Sequence, residues 1–302
     1  MSRKILISCG DPNGIGPEIS VKALKKSPLR LRKKVLLLGD INSLKKAGWS
    51  DKLCSALNIS CEKFKLNYGY PEASGGLISF KAFSCACRLA SNGFAAAVVT
   101  APVSKEAWLK AGVPFMGHTD YLEKNFKINP VMSFHAYGFN SFLITEHISL
   151  RKINCALSVE RIKGKVLSFS NSFGLKKEDL IVFSGLNPHC GENGFLGGEE
   201  KKIIIPAMKQ IEKAGFKTAG PFNPEDVFSK YFTLKAKAAV FMYHDQLLAP
   251  LRIKYGYCVH ATWGLPFIRT SPSHGCAFDI AGKNKADETS MLSALKFAFA
   301  KI

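Results

Sequence analysis

Short apolar runs alternate along the chain with longer stretches whose apolar positions recur every three to four residues. The runs Ile5–Cys9, Val35–Leu38, Ala95–Thr100, Ser141–Thr145, Leu180–Ser184, Ala238–Tyr243 and Tyr257–Thr262 are almost continuously apolar. That pattern predicts strands covered on both faces, because a half-exposed strand would alternate polar with apolar side chains. Between them the helical period predicts helices over Pro17–Lys26, about Ser104–Lys110, and residues 80–91, 119–126, 157–173, 198–214 and 288–301. Pro17 suits a first helical turn, where its missing N–H has no acceptor to satisfy. Regular strand–helix alternation predicts an α/β protein with mainly parallel sheets and helices on both faces. No internal repeat and no Gly/Ser linker is present, and two domains flanking a cleft fit the pattern.

Polar strings follow the predicted strands. Gly10–Glu18 comes after the first, Thr100–Lys105 after the third, and Gly185–His189 and Tyr243–Gln246 after two later ones. Open α/β sheets bind ligands beyond the carboxyl ends of their strands, so this placement points to an enzyme. Familiar nucleotide and nucleophile signatures are missing. Gly14-Ile15-Gly16 begins a dinucleotide fingerprint, but Ile19 stands where its third glycine belongs. Asp40, at the end of the second predicted strand, imitates only the position of a ribose-binding acid. There is no Walker A string, Gly-x-Ser-x-Gly elbow or His-Glu-x-x-His.

Composition narrows the class further. The 302 residues are 47% hydrophobic, enough for one large core or two packed ones. No apolar run is long enough for a transmembrane helix. The basic pair Arg3-Lys4 precedes an apolar stretch too short for a signal-peptide core, so the stretch reads as the first strand and the protein as cytoplasmic. Nine cysteines without a Cys-x-x-Cys pair suit free thiols in a reducing compartment. The net charge is +19, but the lysines are dispersed and no nucleic-acid-binding motif accompanies them. Attraction of a phosphorylated, carboxylated metabolite is the better account of the charge, with nucleic acid and membrane set aside.

Seven histidines remain: His118, His135, His147, His189, His244, His260 and His274. His147, His189 and His244 each follow a predicted buried strand. Strand ends converge in such folds, so three imidazoles would hold one divalent ion and leave it an open position. A satisfied, half-buried histidine is the competing reading for each. His118-Thr119 opens a predicted helix, where Thr119 is a candidate cap and the pair suits an anionic ligand. Lys105, Lys254 and Arg269 read as loop cations. Arg269 lies in the apolar Gly264–Ser271 segment and needs a carboxylate, a phosphate or a structural salt bridge.

Taken together, Gly10–Glu18, Thr100–Lys105, Gly117-His118-Thr119, Gly185–Glu192, Met242–Gln246 and Gly264–Ser271 resemble the 4-hydroxythreonine-4-phosphate dehydrogenases of pyridoxal phosphate biosynthesis. The likeness runs from the first strand to the last helix. It implies the two-domain fold of isocitrate and isopropylmalate dehydrogenases, with an interdomain cleft. The expected division is residues 1–115 with 255–302 as the larger domain and 116–254 as the second, which contributes to the dimer interface. It implies a homodimer with active sites at the interface. His147, His189 and His244 then match the ligands of a divalent metal (Zn, Mg or Co), drawn from both subunits. His118, Thr119, Lys254 and Arg269 match substrate-binding positions. His260 stands where a substrate-binding Asn is usual, and Ser273 where Asp is common before His274-Gly275.

The implied reaction is oxidation of 4-phosphooxy-L-threonine at C3 by NAD or NADP, then loss of carbon dioxide to give 3-amino-2-oxopropyl phosphate. Asp245, beside a ligand, is a candidate to orient it or to move a proton. Two rivals stand beside this reading: a dehydrogenase of a phosphorylated four-carbon sugar acid (4-phosphoerythronate or 4-phosphothreonate), and a non-catalytic phosphate-ester binding protein.

Overall fold

The computed structural model describes residues 4–62 and 64–302 of the chain, so Arg3 lies outside the described residues. The chain divides into two compact units. The first contains residues up to Ile128, Val259–Ala261 and Leu265–Ile302; the second contains Asn129–Cys258 and Thr262–Gly264.

The first unit is built on β1 (Lys4–Ser8), β2 (Val35–Gly39), β3 (Ser55–Asn58), β4 (Ala95–Thr100), β11 (Ile268–Ser271) and the Val259–Ala261 part of β10 (Val259–Trp263). Their order is β3-β2-β1-β4-β11-β10, and the β3-β2-β1-β4-β11 pairings are parallel. The apolar run of β1 explains the layering. Ile5 and Ile7 pack with helices Gly16–Lys25 and Thr289–Ala300, while Leu6 packs on the other face with Phe83, Trp108 and Tyr121. All three strand residues are fully buried, each contributing about 1.5–3 kcal/mol of burial. The second face is covered by helices Ala73–Ser91, Lys105–Lys110 and His118–Phe126. The helix carrying His118 therefore packs within the first unit, through Tyr121 and Leu122.

The second unit contains β5 (Val131–Ala136), β6 (Phe139–Leu143), β7 (Leu180–Ser184), β8 (Lys217–Phe222) and β9 (Ala238–Phe241), ordered β5-β6-β9-β7-β8. Only β5 and β6 pair antiparallel; the other neighbours are parallel. Tyr137 (φ 47°) and Gly138 (φ 82°) make the two-residue turn between them, whose left-handed backbone matches the strand twist. The core joins Phe134, Phe139, Leu143 and Phe241 to Val227, Phe228 and Leu251 from two helices.

Several expectations need correction. Lys254 is in the last turn of a helix, His244–Tyr255, and Arg269 is inside β11, so neither is a loop cation. Lys105 is the first residue of its helix. The predicted helix 198–214 begins as a π-helical turn, Glu200–Ile204, before the α-helix Ile205–Lys213. Among the described residues no helix is long and apolar enough to cross a membrane.

Candidate functional site

In the first unit the candidate residues gather around Arg269. Its position in the interior of a sheet buries the guanidinium almost completely, which lowers its pKa to about 10. Its Nε and Nη2 donate to Thr100 Oγ1 at 3.2 and 2.8 Å. Nη1 faces His260 Nδ1 and Nη2 faces His118 Nδ1, both at 3.3 Å. None of these partners is an acid, so the positive charge is held in place without being cancelled by them. His260 Nδ1 also lies 3.1 Å from Ser271 Oγ.

His118 is walled by Phe83 and Trp108, with ring centres 4.4 and 5.8 Å away. Burial first, and the Arg269 charge second, push its pKa well below the ordinary value of 6.5. The imidazole is therefore neutral, and because Nδ1 accepts from Arg269, the proton sits on Nε2. That Nε2 is buried with no hydrogen-bond partner among the described residues. A buried donor left unmet costs about 1–3 kcal/mol, so it is primed to meet an acceptor.

The backbone adds to this. Gly117, at φ 142°, caps the nine-residue helix His118–Phe126 without a side-chain bond. Thr119 is inside the first turn, so it does not cap the helix as expected. The first N–H groups of that helix and the His118 Nε2–H are together suited to an anion. Lys105 approaches the same turn: a Cβ on Gly117 would stand 3.6 Å from its Cε.

In the second unit the ends of β6, β9 and β7 carry His147, His244 and His189. His147 and His244 have ring centres 5.4 Å apart. Two imidazoles sharing one tetrahedral ion, with metal–nitrogen bonds of about 2.0–2.1 Å, hold their ring centres roughly 5 Å apart, so the pair fits a divalent ion. His244 Nδ1 lies 2.7 Å from Asp245 Oδ1, and since a carboxylate accepts, Nδ1 is the donor there and Nε2 is the nitrogen left to face a metal. His147 follows Glu146, which pairs with buried Lys165 and with Arg161. Among the described residues of one chain, no group of three side chains is placed to hold a metal. His189 is exposed, at φ 50°.

Side-chain bonds set these three strand ends in register. Thr145 Oγ1 donates to the Met242 carbonyl at 2.7 Å. Met242 N–H donates to Gln246 Oε1 at 2.8 Å, and Gln246 Nε2 donates to the Gly185 carbonyl at 2.7 Å. Thr100, Thr145, Gln246 and Glu200 were not singled out from the sequence. The first three stand in or beside a polar string at a strand end, whereas Glu200 opens a helical turn well past β7 and carries no such signal.

The remaining histidines are accounted for structurally. His135 is a buried core residue with Nε2 2.7 Å from Ser133 Oγ and Nδ1 2.9 Å from Asn140 Oδ1. His274 is exposed. Asp40 caps helix Ile41–Lys46 by accepting from Ser43 N–H at 2.7 Å, which settles it as a cap. The glycines after β1 serve close packing: a Cβ on Gly16 would lie 2.2 Å from the Cys9 carbonyl oxygen. Nothing in the structure explains the Ser at position 273.

The family model for the pyridoxal phosphate biosynthetic protein PdxA matches residues 19–298 of this chain. A 4-hydroxythreonine-4-phosphate dehydrogenase from Sulfurihydrogenibium sp. is 35% identical, over 98% of this chain and 97% of the relative. A Clostridium botulinum protein provisionally named D-threonate 4-phosphate dehydrogenase is 32% identical, over 97% of this chain and 95% of the relative. The crystal structure of 4-hydroxythreonine-4-phosphate dehydrogenase from Klebsiella pneumoniae superposes with a TM-score of 0.88 at 32% identity, covering 99% of each chain. Isocitrate dehydrogenase from Methylococcus capsulatus shares the fold, with a TM-score of 0.51 at 14% identity over 99% of this chain and 85% of that one. The fold expected from the sequence is thus the fold found.

Proposed function

Because this chain belongs to the PdxA family of pyridoxal phosphate biosynthetic proteins, we propose that it oxidises 4-phosphooxy-L-threonine with NAD or NADP and decarboxylates the product. Hydride leaves C3 for the nicotinamide and the hydroxyl proton is released. The resulting 3-keto acid loses carbon dioxide, takes up a proton, and becomes 3-amino-2-oxopropyl phosphate, an intermediate of pyridoxine 5'-phosphate formation.

The observation that carries this reading is the His147–His244 pair with Nδ1 of His244 tied to Asp245. A zinc, magnesium or cobalt ion held there supplies Lewis acidity, which eases loss of the C3 hydroxyl proton and spreads the charge left when carbon dioxide departs. Asp245 fixes the imidazole of His244 and is the candidate for moving a proton nearby. Arg269, the His118 Nε2–H and the turn at Thr119 bind substrate oxygens, with His260 beside the guanidinium. Lys254, whose Nζ lies 5.5 to 5.9 Å from the ring centres of Tyr255, Phe232 and Phe228, is offered as a further substrate cation. The third imidazole, His189, completes the metal set from a second copy, so the working form is a homodimer. No disulfide joins cysteines among the described residues, which suits the cytoplasm.

A second reading has its own support. His260 replaces the usual Asn at a substrate position, and relatives named for D-threonate 4-phosphate match over nearly the full chain. One experiment separates the two. Reduction of NAD and of NADP is followed at equal concentrations of 4-phosphooxy-L-threonine and D-threonate 4-phosphate, before and after chelation. The expected outcome is turnover of the amino acid that stops on chelation and returns with added metal. Turnover of the sugar acid alone transfers the assignment, and phosphate-ester binding without turnover of either leaves only a binding protein.

A further inference from the structure

The loop carrying His189 is the most strained stretch of the described chain. His189, Cys190, Gly191, Glu192 and Asn193 run at φ 50°, 52°, 75°, 41° and 58°. Left-handed backbone costs an L-residue roughly 1–2 kcal/mol, and four of these five have a Cβ. Such a run persists only where its surroundings fix it. Here they centre on one carboxylate. Glu200 is 2% exposed and opens the π-helical turn. Its Oε1 accepts from Leu186 N–H at 2.8 Å and Asn187 N–H at 2.7 Å, and its Oε2 accepts from Asn187 Nδ2 at 2.9 Å. The loop closes round it with no room to spare: a Cβ on Gly191 would meet Glu200 Oε2 at 2.7 Å and the Gly197 carbonyl at 2.6 Å. Lys201 Nζ holds the far end by donating to the Asn193 carbonyl.

We propose that Glu200 is the positioning residue for His189: its carboxylate holds the two backbone N–H groups just before the left-handed turn, and so gives that imidazole a single orientation toward its ion. This rests on reading His189 as a metal ligand. Glu200 touches neither substrate nor metal in this account. It acts by keeping the ordering of the loop from being charged against metal binding, as outer groups around metal sites do.

The test is a double-mutant cycle read by cobalt(II) titration of the metal-free, full-length protein, recording affinity and the visible ligand-field spectrum. Glu200→Ala is expected to weaken cobalt binding by about 10–100-fold. In a His189→Ala background the same change is expected to have almost no further effect, because the residue it orients is gone. Glu200→Gln, which keeps one oxygen for the two backbone N–H groups, should lose much less, and serves if the alanine variant fails to fold. Equal losses with and without His189, or no loss at all, would show a merely structural glutamate and overturn the proposal. A His189→Ala protein with unchanged affinity and spectrum overturns it differently, by removing His189 from the ligand set.

Discussion

At the residue scale, the first unit depends on His118 staying neutral. Between the ordinary imidazole value of 6.5 and the lowered value in the folded chain, the unfolded chain holds a proton that the folded chain does not. The stability from this group is complete above pH 6.5 and falls as pH drops, by about 1.4 kcal/mol per unit. Asp11 has the opposite sign: burial raises its carboxyl to about 6, so its contribution is present at low pH and is lost as pH rises through that value. Comparing one variant with the parent isolates His118. In His118→Gln, where the amide oxygen still accepts from Arg269 and the amide nitrogen still donates, urea unfolding at pH 5.5 and 7.5 should show less gain in stability with rising pH than the parent. An unchanged slope would mean that the imidazole is protonated in the folded chain.

At the scale of elements, close helix packing makes that environment. A Cβ on Gly76, in helix Ala73–Ser91, would stand 2.2 Å from the Ala107 carbonyl oxygen in helix Lys105–Lys110. Trp108 then donates from Nε1 to Ser79 Oγ at 2.8 Å and presents its ring to His118. Gly76→Ala forces the two helices apart, at a cost of about 1–3 kcal/mol as for other overpacked cores. Urea denaturation should show that loss, and proton NMR should show His118 titrating closer to 6.5. The same elements show how far the sequence could be read. β4 and β7 match their predicted bounds because their runs are apolar throughout, and the helix Gly16–Lys25 is one residue out of step. β5 escaped because Ser133 and His135 interrupt its apolar run, although both are buried and hydrogen-bonded to one another. The helix His244–Tyr255 escaped because Pro250 lies inside it, and a proline in a helix interior normally argues against one. That omission put Lys254 in a loop. The strand-end histidines were legible by position, since a polar residue directly after a buried strand has few roles. The roles of Glu200 and Gln246 were not, because they bond mainly to backbone atoms, which no side-chain pattern records.

At the scale of the whole molecule, the open matter is how three imidazoles make one centre. His147 and His244 stand together in one chain, and no described residue of that chain makes a metal-holding third with them. If His189 of the partner subunit completes each set, every site draws two ligands from one copy and one from the other. His147→Ala and His189→Ala should then each be inactive alone, yet complement each other when mixed. In a mixed dimer one site lacks both residues and the other lacks neither. With random exchange half the dimers are mixed and half of their sites are intact, so about one quarter of the parent turnover should return. Rapid dilution of the mixed variants from mild denaturant, followed by the NAD(P) assay with added metal, measures it. A mixture that stays inactive while a His147→Ala and His244→Ala mixture recovers would divide the ligands differently. If no pair of variants recovers, each set comes from a single chain.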